Sequence, residues 1–111
     1  KVRDMERILS RTGTQRFVFF GDTTHVDPEV QRDILAKHPE RVIAGIVLKV
    51  KEIDPARVQG LHLVQNYAEA AAVLFKLGVV TRPEALKVMR AARDQGVDIT
   101  DDGMAKLLDA Q

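Results

Sequence analysis

The stretch with the most capacity for chemistry is Gly21-Asp22-Thr23-Thr24-His25-Val26-Asp27, a polar loop leaving the end of the apolar run Phe17-Val18-Phe19-Phe20. Two carboxylates five residues apart, with two hydroxyls and an imidazole between them, can converge on one hard cation. Mg2+ takes oxygen ligands in octahedral geometry and commonly uses one or two carboxylates, with phosphate and water completing its shell. Asp22 would then point in from a strand end and Asp27 from a helix start. The same spacing also fits plain architecture, in which Asp22 closes a turn and Asp27 caps the helix opened by Asp27-Pro28-Glu29. Thr23, Thr24 and His25 are the remaining candidate substrate or loop residues; an imidazole there can touch a headgroup or assist proton transfer, or can simply be a polar loop residue. His25, His38 and His62 show no metal-ligand spacing. His38 before Pro39 reads as a helix-end residue favoured by the dipole, and His62 as a partly buried strand histidine.

These residues need elements to hold them. Val2, Met5, Ile8 and Leu9 fall on one helical face ahead of Gly13, which predicts a short amphipathic helix over residues 2–12. Residues 16–20 form an aromatic and β-branched run, as a parallel strand covered on both faces requires. Asp27-Pro28-Glu29 opens a helix whose buried face is Val30, Ile34 and Leu35 and which His38-Pro39 ends. Val42–Leu48, apolar except for Gly45, predicts the next strand, and strand-helix-strand implies a right-handed parallel crossover. Open sheets of this kind bind ligands beyond the carboxyl ends of their strands, where the polar loop falls. A weaker third strand is expected over 61–64, then helices over 67–77, 83–95 and 100–108, with Thr81 as a cap and Gly78 and Gly96 as stops. Asp101-Asp102 also read as a helix cap. The fold class is therefore α/β: a Rossmann-like parallel sheet fragment over residues 1–80 and a helical C-terminal extension over 81–111. That extension packs on the sheet or forms an oligomer or partner surface.

Composition closes off other functions. Of 111 residues, 17 are Lys or Arg and 16 are Asp or Glu, a net charge of +1 with no basic surplus to grip a nucleic acid. With 45% apolar and 30% charged residues the chain sits away from the disordered class. No apolar run approaches the roughly 20 residues of a membrane span. The absence of cysteine removes thiolate catalysis, disulfides and cysteine-ligated zinc. The chain opens at Lys1 directly in helical pattern, and the expectation is the C-terminal piece of a longer, cytoplasmic bacterial protein.

The segment Arg16–Val30, followed by Pro39-Glu40-Arg41-Val42-Ile43-Ala44, resembles the last motif region of the haloacid dehalogenase superfamily. More narrowly it is similar to the phosphatidate phosphatase catalytic domain of the actin-patch-protein type. That family runs an apolar strand into Gly-Asp-Ser-Gly, opens the next helix with Asp-Pro-Glu and introduces the next strand with Pro-x-Arg-Val. The likeness covers residues 1–48 well, the helix at Tyr67-Ala68-Glu69-Ala70-Ala71 more loosely, and the tail not at all. It implies a Mg2+-dependent phosphohydrolase of phosphomonoesters, either small molecules or lipid headgroups, with Asp22 and Asp27 holding the metal. It further implies that Lys1, 21 residues before Asp22, is the catalytic lysine that neutralises phosphoryl charge; without the likeness Lys1 is a solvated terminal residue. Thr23-Thr24 stand where the family has Ser-Gly, so the loop path is expected to differ. The family's attacking Asp-x-Asp occurs nowhere in these residues, which implies a nucleophile upstream of Lys1 and an inactive isolated chain. The rival reading is a non-catalytic phosphate-sensing or protein-interaction module.

Overall fold

A computed structural model describes residues 2–13, 15–24 and 27–110. It is an α/β chain whose order is α1 (Val2–Arg11), β1 (Phe17–Asp22), α2 (Asp27–Lys37), β2 (Val42–Leu48), a 3-10 turn (Pro55–Val58), β3 (His62–Val64), α3 (Tyr67–Lys76), α4 (Arg82–Asp94) and α5 (Asp101–Asp109). The chain divides into two compact units, residues 1–63 and 64–111, and each has its own core.

In the first unit β1 and β2 pair in parallel across α2, and β3 completes a three-stranded sheet of order β1-β2-β3. β2 is buried along most of its length, as its continuous apolar sequence requires. β1 departs from expectation. It is only partly buried, with Phe20 52% exposed, and it is an edge strand whose only partner among the described residues is β2. Its two better covered rings, Phe17 and Phe19, stack 6.1 Å apart and pack with Met5 and Leu35 on a core of Leu9, Ile34 and Val42. Ile8, expected on the buried face of α1, is 45% exposed instead, leaving Leu9 and Met5 to make the contact.

One arginine fastens α1 to the sheet. Arg41 donates to the Gln15 carbonyl at 2.6 Å, the Leu9 carbonyl at 3.0 Å and the Thr12 hydroxyl at 3.0 Å, and its guanidinium lies 5.8 Å from the Phe17 ring centroid. The last carbonyls of a helix have no partner within it, and a fixed guanidinium fork satisfies them while adding charge of the favourable sign for that end. His38, just past α2, places Nε2 3.3 Å from Glu6 Oε1 on α1. His62 is exposed in β3, not partly buried: a three-residue strand ending a sheet leaves its alternate side chains in solvent.

The second unit is held by local signals. Asn66 caps α3 through the Glu69 amide at 3.0 Å, Thr100 caps α5 through the Gly103 amide at 2.9 Å, and Thr81 with Glu84 forms a reciprocal capping box at α4. Thr100 takes the capping role at α5; Asp101 and Asp102 instead lie in its first turn, where the dipole favours acids. Gly78 and Gly96, at φ of 74° and 111°, end α3 and α4 in the left-handed region open to glycine. The core is Ala68, Ala71, Ala72, Ala85 and Ala92 around Met89, Met104 and Leu108. α3 thus shares its core with α4 and α5, and the helical unit starts at Val64, upstream of Thr81.

Candidate functional site

The polar loop leaves β1 at its carboxyl end, and Asp22 is the last residue of that strand while Asp27 is the first of α2. Turning from strand to helix within four intervening residues brings the two acids together. The Asp22 amide donates to Asp27 Oδ2 at 3.4 Å, a long bond, and the Asp22 carboxylate accepts from the Thr24 amide at 2.8 Å and from the Thr24 hydroxyl. Both acids are partly exposed. Asp22 does close a turn, the Asx-turn bond from the amide two residues on. Asp27 begins α2, and its carboxylate reaches back across the loop to Asp22.

The two threonines do different work. Thr24 faces Asp22. Thr23 is fully buried, and its hydroxyl accepts from the Val50 amide at 3.0 Å and the Lys51 amide at 3.1 Å while donating to the Lys51 carbonyl at 3.3 Å. With the Thr23 amide on the Leu48 carbonyl at 3.1 Å, these bonds tie the exit of β1 to the exit of β2. A buried hydroxyl with this many backbone bonds serves the loop path rather than a substrate. Thr23 therefore belongs to the frame of the site, and Thr24 to its face. Lys1 and His25, the other residues expected at the site, lie outside the described residues.

Glu29, the acid of the Asp-Pro-Glu start, forms a forked ion pair with Arg57, at 2.9 and 3.2 Å from Nε and 2.6 Å from Nη2. Together with Arg32 on the Ala56 carbonyl at 3.0 Å, it holds the 3-10 turn against α2. A cavity of about 160 Å3 beside Asp27 is lined by Met5, Phe20, Val30 and Gln31 as well.

Sequence reasoning passed over two features of this neighbourhood. Gln31 stands one turn after Asp27 and is 2% exposed, with Nε2 donating to the Ile46 carbonyl at 3.1 Å. It lies on a buried stripe with Val30 and Ile34, and a polar residue in such a stripe was the available signal. Gly45 was the other: a glycine inside an apolar strand often marks close approach of another element.

Two carboxylates at the mouth of a parallel strand match the modest protein share of a Mg2+ shell, although no cluster of three or more His, Cys, Asp or Glu suited to a metal occurs among the described residues. No helix among the described residues is long and apolar enough to cross a membrane. No family model matches the chain, and neither a curated protein nor a solved structure matches it.

Proposed function

We propose that this chain is the metal-holding part of a haloacid-dehalogenase-like phosphohydrolase with a Rossmann-like sheet, acting on a phosphomonoester. The observation that carries the reading is the convergence of Asp22 and Asp27 at the carboxyl end of β1, joined by the bond from the Asp22 amide to Asp27 Oδ2. Asp22 and Asp27 would hold Mg2+, which supplies neutralisation of phosphoryl oxygen charge. Thr24 orients the Asp22 carboxylate through two bonds, Thr23 fixes the loop path, and the N-terminus of α2 adds a favourable field for an anion. Lys1 would take the charge-neutralising role, and the attacking aspartate would have to come from outside the 111 residues, which hold no Asp-x-Asp. The likeness to phosphatidate phosphatases extends the proposal to a lipid headgroup, a small phosphomonoester being the broader class.

The 111 residues suffice to test the metal. Titrating Mn2+ into the labelled chain is expected to broaden the amide resonances of residues 21–28 selectively, and Asp22→Asn is expected to abolish that broadening. In any protein that joins these residues to an attacking aspartate, the same substitution should remove Mg2+-dependent phosphate release. Unchanged turnover in Asp22→Asn, or uniform broadening at the loop and elsewhere, defeats the proposal. A non-catalytic phosphate-sensing or interaction module is the second reading, and it is favoured by the absence of any Asp-x-Asp in the 111 residues.

A further inference from the structure

We infer that Gln31 is a positioning residue that seats the first turn of α2 on β1 and β2 and so sets where the Asp27 carboxylate lies relative to Asp22. The inference rests on the reading of these two acids as the metal pair.

The geometry is a cradle cut into two neighbouring strands. A Cβ at Gly21 of β1 would fall 2.9 Å from Gln31 Nε2, 3.0 Å from Asp27 Cβ and 3.1 Å from Asp27 Oδ2. A Cβ at Gly45 of β2 would fall 2.4 Å from Gln31 Oε1, 3.3 Å from Gln31 Cβ and 2.8 Å from Leu61 Cδ2. Separations under 3.0 Å force something to shift, here the Gln31 amide and the Leu61 methyl, so both strands leave the space that Gln31 fills in its observed rotamer. Asp27 and Gln31 are four apart on α2, stacked on one face, and both occupy the space that a side chain at Gly21 would need. The height of α2 over Gly21 and the place of the Asp27 carboxylate are thus one variable.

Gln31 is also an unexpected choice for a buried site. Its Nε2 bonds to Ile46, but Oε1 has no hydrogen-bond partner among the described residues, and a buried acceptor left unmet is unfavourable. An apolar residue would avoid that. What an apolar residue cannot do is anchor to the Ile46 carbonyl, which fixes α2 in register with the strand carrying Asp22 through the β1–β2 pairing. Partners outside the ligand set that orient the ligands commonly alter metal affinity by about 10-fold to 100-fold when removed.

The test uses the full chain and Gln31→Met, which keeps length and approximate volume and deletes the donor. Two readouts are taken on folded protein: the Asp22 amide proton resonance, which reports the bond to Asp27 Oδ2, and the Mg2+ dissociation constant. The expected result is an upfield move of the Asp22 amide resonance and an affinity weakened about tenfold, with resonances of α3–α5 unchanged. An Asp22 amide at its wild-type position overturns the inference. If wild-type chain fails to bind Mg2+ at all, the metal reading falls, while the Asp22 resonance still decides the role of Gln31. Gly45→Ala, which drives a methyl into Gln31 Oε1, is expected to move the same resonance in the same direction. Should both variants fail to fold, the wild type decides: Gln31 side-chain amide protons protected from exchange support the seat, and exchange at the free rate overturns it.

Discussion

The two units solve the problem of holding a small structure in opposite ways. In residues 64–111 the bonds that define each helix are local: Asn66 to Glu69, Thr81 to Glu84 and Thr100 to Gly103, each spanning three residues. In residues 1–63 the defining side chains reach far along the chain, Arg41 to the Leu9 and Gln15 carbonyls and the Thr12 hydroxyl, Thr23 to the Val50 and Lys51 backbone, and Gln31 to the Ile46 carbonyl. Local caps specify a helix whatever surrounds it. Long-range stitching fixes where elements meet: Arg41 holds the end of α1 beside the start of β1, and Thr23 ties the exit of β1, next to Asp22, to the exit of β2. A unit that must present polar groups in a fixed arrangement cannot close over them with apolar side chains, so it relies on bonds placed around the rim.

The comparison is tested most severely in the helical core. Met89 is fully buried in a core whose other buried members are five alanines, Met104 and Leu108, with Phe75, Leu86 and Ile99 packed against it. Met89→Ala is expected to destabilise residues 64–111 by about 2–5 kcal/mol, from lost transfer energy and the cavity left behind. Urea unfolding followed at α4 amide resonances measures it. A loss under about 1 kcal/mol, the scale of a single cap, would mean that the local caps rather than the core carry this unit.

The second test falls on the stitching. Arg41→Ala removes three charge-assisted bonds and a contact with the Phe17 ring, and the expected cost is about 2 kcal/mol, measured by thermal or urea unfolding at β1 and α1 resonances. Selective loss of protection in residues 9–15 should accompany it, since those are the groups Arg41 holds. A change within about 0.5 kcal/mol, as for an ordinary surface substitution, would erase the distinction between the units.

How much of this was written in the sequence follows the same division. The extents of α4 and α5 were legible to within a residue from the Thr81 cap, the Gly96 stop and the apolar spacing, while the α5 cap fell on Thr100 and not on Asp101-Asp102, two neighbouring residue types that both suit a cap. β2 was legible because an uninterrupted apolar run has little choice but burial. The α/β class and the polar loop at a strand end followed from these elements. The exposure of Phe20 did not follow, since an aromatic run reads the same whether or not another element covers the face that each ring points from. At the site, five-residue spacing across a strand-to-helix turn allowed Asp22 and Asp27 to meet but fitted a plain turn and helix start as well, and the structure holds both the Asx-turn bond and the bond from the Asp22 amide to Asp27 Oδ2. The burial of Thr23 was not, because its partners Val50 and Lys51 lie 27 and 28 residues away. Arg41 and Gln31 were missed for the same reason: a lone charged or amide side chain gives no sign of which distant carbonyl it will meet.

The smallest expected effect tests whether a cap in the helical unit is as self-contained as its three-residue reach implies. The Thr81 backbone amide, donating to Glu84 Oε1 at 2.8 Å, and then the Thr81 hydroxyl hold the Glu84 carboxyl below its ordinary value of 4.5. Because the folded value lies below the unfolded one, the ionised carboxylate favours the helix fully above pH 4.5, and that contribution fades as pH falls through the depressed folded value. Following the Glu84 side-chain carbonyl carbon by NMR should show the depressed midpoint in the wild type. Thr81→Ala, expected to cost about 1 kcal/mol, deletes the hydroxyl but keeps the backbone amide, so the midpoint should rise only part of the way toward 4.5. A midpoint unmoved by the substitution would assign the whole shift to the backbone amide. A midpoint restored fully to 4.5 would mean that the amide bond forms only when the hydroxyl is in place, making even this three-residue device cooperative rather than local.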